Sequence, residues 1–149
     1  MATIHLPPDF KEFLQLLNSE KVEYLLVGGY AVGCYGYPRA TGDMDVWIAA
    51  SPTNAAAIVR ALRRFGLAAS TVSPDIFLVS NKVVRMGIPP LRIDLMTDAT
   101  GLIFADCFAQ RTNAILDGVE ICLISLDHLK ANKRAMSRPK DLDDLGHLP

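Results

Sequence analysis

The spacing of apolar positions changes period along this chain, and the changes predict its elements. Behind Pro7-Pro8, the residues Phe10, Phe13, Leu14, Leu16 and Leu17 recur at helical spacing, so a first helix is expected from about Pro8 to Ser19. Val22 to Val27 is instead a short unbroken apolar run ending at Gly28-Gly29, which reads as a buried strand. Tyr30 to Tyr35 predicts a short helix closed by Gly36-Tyr37-Pro38, and Asp43 to Ala49 a second strand. Ser51 suits an N-cap with Pro52 at the first helical position, and Gly66 suits the stop of the alanine-rich helix between them.

Further along, Ile76 to Val79 and Val83 to Met86 are expected to form a hairpin across Ser80-Asn81-Lys82. Gly87-Ile88-Pro89-Pro90 reads as a turn and Leu91 to Thr97 as a strand. Leu102 to Gln110 predicts a helix. Ala114 to Leu116 and Val119 to Ile124 are strand-like runs around Asp117-Gly118, a hairpin signal. Ser125 caps a helix to about Ser137, and Pro139 opens a last short helix with Leu142, Leu145 and Leu148 on one side. The expected fold class is α/β (α+β): a mixed sheet with flanking helices and a helical tail at about 125–149, in one domain over 1–149 with no repeat or linker.

Composition narrows the class. Half of the 149 residues are hydrophobic and 21% are charged, as in a globular protein with a core. A net charge of −1 offers no global attraction to nucleic acid, so any phosphate contact must come from a local basic patch. Cys34, Cys107 and Cys122 are odd in number, widely spaced and free of a C-x-x-C pattern, which argues against disulfides or structural zinc and for a reducing cytoplasm. No apolar window is long enough to span a bilayer, so no membrane partner is expected.

Against that background, the acidic residues of the strands stand out. Asp43 and Asp45 are two apart on a strand and so point the same way, with Cα atoms roughly 6–7 Å apart. Two carboxylates held that close repel and lose hydration, for which a hard cation such as Mg²⁺ is the usual compensation. In Leu91-Arg92-Ile93-Asp94-Leu95-Met96, Arg92 and Asp94 share one face. If this strand lies beside the other, three carboxylates converge, enough for two divalent ions about 3.5–4 Å apart, with Asp94 a candidate general base. The bland alternatives are that Asp43 caps the Thr41-Gly42 turn and that Asp94 pairs with Arg92.

Gly28-Gly29 can turn a strand into a helix whose free N–H groups cradle phosphate, though a glycine pair is also a common turn. Arg39 either reaches phosphates or offsets the aspartates, and Thr41 either bonds phosphate or fixes the loop. After Ser125, Lys130, Lys133 and Arg134 share one side of a helix. A solvated face explains most of them, and Lys130 is the first candidate for a phosphate contact. Acidic residues in the first turn of the last helix suit its dipole, which accounts for Asp141 structurally. Tyr30, Tyr35 and Tyr37 read as core or rim, and the three histidines form no catalytic arrangement.

Taken in order, Leu25-Leu26-Val27-Gly28-Gly29, Arg39-Ala40-Thr41-Gly42-Asp43-Met44-Asp45, Arg92-Ile93-Asp94-Leu95, and Lys130 through Arg138-Pro139-Lys140-Asp141-Leu142-Asp143-Asp144 resemble the DNA-polymerase-beta-type nucleotidyltransferase superfamily. The likeness is to its small bacterial branch of abortive-infection toxins and lincosamide-type enzymes. The resemblance implies a mixed-sheet palm and transfer of a nucleoside monophosphate from an NTP to an acceptor, with Mg²⁺ or Mn²⁺ on Asp43, Asp45 and Asp94. It also implies a phosphate turn at Gly28 and Gly29, where the superfamily frequently has serine in the second position. The implied acceptor is tRNA, protein or a small molecule, with an antitoxin or a second copy as partner. The competing readings are a binding-only nucleotide or toxin–antitoxin module of the same fold, and a hydrolase using the same metals.

Overall fold

The computed structural model describes residues 4–39, 41–66, 72–88 and 91–149. Helix α1 (Pro8–Ser19) buries Phe10, Phe13, Leu14 and Leu17, the stripe its periodicity predicts, and leads to strand β1 (Tyr24–Val27), buried throughout. Helix α2 (Gly28–Cys34) starts at the glycine pair and not at Tyr30. Strand β2 spans Asp43–Ile48, and helix α3 spans Pro52–Phe65 between the Ser51 cap, whose side chain accepts from the Asn54 N–H, and left-handed Gly66.

The expected hairpin is not formed. Pro74–Leu78 is a 3₁₀ turn that buries Phe77, as Pro74 at its first position favours. Strand β3 (Val83–Ile88) pairs instead with β4 (Leu91–Met96), antiparallel, so Gly87 and Ile88 extend a strand rather than turn. Thr97 fixes this choice: its hydroxyl donates to the Val79 carbonyl at 2.7 Å and accepts from the Lys82 N–H at 3.0 Å. The remainder of the expected turn, Pro89-Pro90, lies outside the described residues.

Helix α4 (Phe104–Ala109), the hairpin β5 (Thr112–Leu116) and β6 (Val119–Leu123), and helices α5 (Leu126–Met136) and α6 (Pro139–His147) complete the chain. The six strands form one mixed sheet in the order β3-β4-β2-β1-β6-β5. A single hydrophobic cluster runs from Leu6 to Leu148. Two consequences matter for the site. Strands β2 and β4 are parallel neighbours, and the ends of β1 and β2 meet where α2 begins.

In α6 the expected apolar side is corrected. Leu142 is 56% exposed, while Asp141 and Asp144 are buried together with Leu148. Carboxylates can take that face because cations from three other places meet them there.

Candidate active site

The sharp turn from β1 into α2 is set by Gly28, whose φ is +67°. Asp45 lies opposite Val27 across the antiparallel pair. A Cβ on Gly28 would sit 2.2 Å from Asp45 Oδ2, so any side chain there would displace the carboxylate. A Cβ on Gly29 would sit 2.9 Å from Thr41 Oγ1, so Thr41 fills the space a serine would need. The Thr41 hydroxyl donates to the Asp43 carbonyl at 3.2 Å and thereby braces the connection into β2.

The parallel register of β2 and β4 pairs Asp43 with Arg92 and Asp45 with Asp94. The three aspartates therefore share one patch, with Arg92 among them. Its Nε and Nη2 donate to Asp94 at 2.9 and 3.2 Å, and Nη2 also donates to Asp43 Oδ2 at 2.9 Å. Asp94, with its side chain 8% exposed, also has Arg85 at 3.9 Å from β3. Asp43, at 43%, faces the opening. Asp45 makes no side-chain hydrogen bond or ion pair among the described residues. Burial, then the charges of Asp94 and Asp43, push its carboxyl up to about 6.

A second charged cluster sits on α5 and α6. Lys133, 4% exposed, reaches Asp141 Oδ1 at 3.2 Å and Asp144 Oδ2 at 2.9 Å. Arg39 grips Asp144 through Nε and Nη2 at 2.8 and 2.9 Å. Arg138 grips Asp141 at 2.6 and 3.2 Å, and its backbone N–H adds a third bond. Burial alone would raise the Asp141 carboxyl, but the bonds from Arg138 and Lys133 outweigh it and hold it at about 2. Asp144 is lowered likewise, its burial offset by Arg39 and Lys133. Arg39 thus answers Asp144, and neither Asp43 nor Asp45. The sequence reading missed this cluster. Its signal is the three-residue spacing of Asp141 and Asp144 beside Arg138, one helix face carrying acid where core is expected.

Side chains of both clusters line one cleft of about 280 Å³. Its lining includes Gly28, Gly29, Thr41, Asp43 and Asp45 together with Arg39, Lys133, Arg138 and Lys140, and Arg39 Nη1 lies beside Gly29, 3.4 Å from where a Cβ would sit. It is lined further by Val83, Met96 and Met136 with Asp98, Thr100 and Asn132, none of which the sequence singled out. Asn132 is buried and donates to the Thr100 carbonyl at 3.0 Å. Lys130 does not line the cleft, although it shares a side of α5 with Lys133; from this helix the lining comes from Asn132, Lys133 and Met136. Asp94 lies behind the lining, held by Arg92. Tyr30 is core, Tyr35 donates to the Ile124 carbonyl at 2.6 Å, and Tyr37 stacks on His147, so none faces the cleft.

The donor set fits one divalent cation. Asp45 offers a half-buried, unpartnered hard-oxygen carboxylate pressed against a residue without a side chain, with Asp43 beside it. Among the described residues, no three His, Cys, Asp or Glu side chains are grouped as a metal cluster, and Arg92 bonds both Asp94 and Asp43.

No protein-family model and no curated protein sequence matches the chain. Solved structures do. A Thermotoga maritima protein described as a "putative nucleotidyltransferase" (TM1012) superposes with a TM-score of 0.64 at 17% identity, covering 92% of this chain and 88% of that one. The lincosamide antibiotic adenylyltransferase LnuA, in its lincomycin-bound structure, superposes with a TM-score of 0.58 at 14% identity, covering 95% of each chain. The chain shares the nucleotidyltransferase fold with both. Among the described residues, no helix is long and apolar enough to cross a membrane.

Proposed function

We propose that this chain is a metal-dependent nucleotidyltransferase that moves a nucleoside monophosphate from an NTP to an acceptor hydroxyl. The observation that carries the reading is the cleft lining itself: a side-chain-free turn with adjacent carboxylates, and a separate set of cations in Arg39, Arg138 and Lys140. That division suits a triphosphate, whose negative charge needs cations along its length while a metal site holds the reacting end. Fold likeness to nucleotidyltransferases supports the reading.

In the proposed reaction the acceptor oxygen bonds to the α-phosphorus. The bond from that phosphorus to pyrophosphate breaks, and its electron pair leaves with pyrophosphate. The acceptor's proton passes to a carboxylate of the patch. Asp43 and Asp45 would hold a divalent cation, which when bound neutralises charge developing on the phosphate oxygens. Gly28 and Gly29 let the phosphates approach the backbone closely, and Arg39, Arg138 and Lys140 orient them. Asp144 and Asp141 position the two arginines.

The acceptor class follows less directly. LnuA is a lincosamide adenylyltransferase, and a small-molecule hydroxyl is one acceptor of the right kind. Exposed Arg138 and Lys140 at the cleft also suit a tRNA or protein acceptor, as in a toxin held by an antitoxin. Incubation with each α-labelled NTP, Mg²⁺ or Mn²⁺ and cell extract, followed by separation of RNA, protein and small molecules, should place label in one fraction. Tight nucleotide binding with no labelled product in any fraction would favour a binding-only module, and released phosphate without labelled acceptor a hydrolase.

A further inference from the structure

Sequence spacing pointed to three carboxylates and two cations, but the patch contains a fixed positive charge that spacing does not weigh. Arg92 and Asp94 are two apart on β4 and so share a face, and the parallel register sets Arg92 directly against Asp43. The guanidinium is a planar fork with five donors that stays charged at all physiological pH. It uses that fork on both Asp94 oxygens and on Asp43 Oδ2, at 2.9 to 3.2 Å. A cation lodged between Asp43 and Asp94 would need the same lone pairs.

We propose that Arg92 takes the place of a second divalent cation between Asp43 and Asp94, so that this chain binds a single divalent cation, on Asp43 and Asp45. The inference rests on the nucleotidyl-transfer reading and specifies its metal stoichiometry. Three observations converge on it. Asp45 has no partner among the described residues, whereas Asp94 has two arginines, Arg92 at 2.9 Å and Arg85 at 3.9 Å. Asp94 stands behind the cleft lining while Asp43 and Asp45 form it. Finally, Arg92 and one divalent cation already match the three carboxylates in charge, with Arg85 in addition, and the triphosphate has Arg39, Arg138 and Lys140 as further counter-charges. Arg92 is therefore a fixed cation of the site rather than a bystander on its rim.

The test counts ions. The full chain is titrated with Mn²⁺ in the presence of each α,β-methylene NTP, and bound Mn²⁺ is read from the loss of the free-ion electron paramagnetic resonance signal. One Mn²⁺ per chain is expected at saturation, without the spin coupling of two ions about 4 Å apart. Arg92→Ala should raise the count from one to two, and Arg92→Lys should keep it at one. Two ions in the unmutated chain overturn the proposal, as does a count that stays at one in a folded Arg92→Ala protein. If Arg92→Ala does not fold, the unmutated count and Arg92→Lys still decide. Two ions with label transfer intact would refute this inference alone, whereas no bound Mn²⁺ and no transfer would remove the nucleotidyl-transfer reading beneath it.

Discussion

Two charged clusters contribute side chains to the cleft, and they are built on opposite principles. On α5 and α6, two buried carboxylates are matched by three cations, and each carboxylate has an arginine fork plus a share of Lys133. On β2 and β4, three carboxylates share Arg92 with a distant Arg85, and one of them, Asp45, has no partner among the described residues. In the first cluster every carboxylate is answered without a ligand, with one positive charge to spare. The second is in deficit, as its raised Asp45 shows and Asp141 at about 2 does not. Charge that is satisfied holds a fold together, and charge left wanting binds something.

Asp45→Asn sharpens this contrast most. Removing a ligand carboxylate should drop nucleotide labelling at least ~1,000-fold, over about 4 kcal/mol in the barrier. Folding should be little harmed, because a half-buried like-charge repulsion disappears with it. Circular dichroism and a urea midpoint alongside the labelling assay check both halves, and wild-type turnover in Asp45→Asn would refute the metal assignment. Lys133→Met acts on the other cluster, leaving Asp141 and Asp144 to repel each other in a buried site. A loss of about 3 kcal/mol of stability is expected, as for other broken buried pairs, read as a shift of the urea midpoint.

The same cluster gives the protein an acid limit. The folded Asp141 carboxyl is depressed to about 2, below its value of about 4 in an unfolded chain. Its contribution is therefore present above pH ~4 and fades as pH falls towards ~2, roughly 2 kcal/mol in all. Asp144 is shifted in the same direction. Urea midpoints between pH 5 and 2 should fall across that window, and Asp141→Asn should flatten the fall.

The sequence made the carboxylate wall legible and the cation wall nearly invisible, for a physical reason. Asp43 and Asp45 share a face through the two-residue period of a strand, and Gly28-Gly29 is local in sequence. The match of Asp45 with Asp94 needed one pairing, β2 beside β4. The partners Arg39 and Asp144 are 105 residues apart, and only the docking of α6 brings them together. Helical periodicity assigned the buried side of α6 to leucines because it cannot register that a carboxylate held by an arginine and a lysine is as well buried as a leucine. The missed β3–β4 pairing has the same origin: Thr97 decides it through contacts with Val79 and Lys82, beyond the reach of local pattern.

Two lysines carry the comparison to its finest grain. Lys140 lines the cleft at the start of α6 and makes no ion pair among the described residues, and its charge reaches Asp45. Lys130 is off the lining, on the helix that holds Lys133. A lysine acting as a point charge on a bound phosphate contributes through a charge-assisted bond of about 1.5 kcal/mol or more, roughly tenfold or more in affinity. Lys140→Ala should therefore raise the KM for NTP about tenfold with kcat changed less, since the triphosphate is held in the ground state as well as in the transition state. Lys130→Ala should leave KM and stability within about 0.5 kcal/mol of the parent, as surface changes do. Steady-state kinetics on the pair separate the alternatives. Equal effects would mean that the basic residues act as a diffuse field around the cleft, and an effect of Lys130 alone would mean that the triphosphate lies outside the cleft described here.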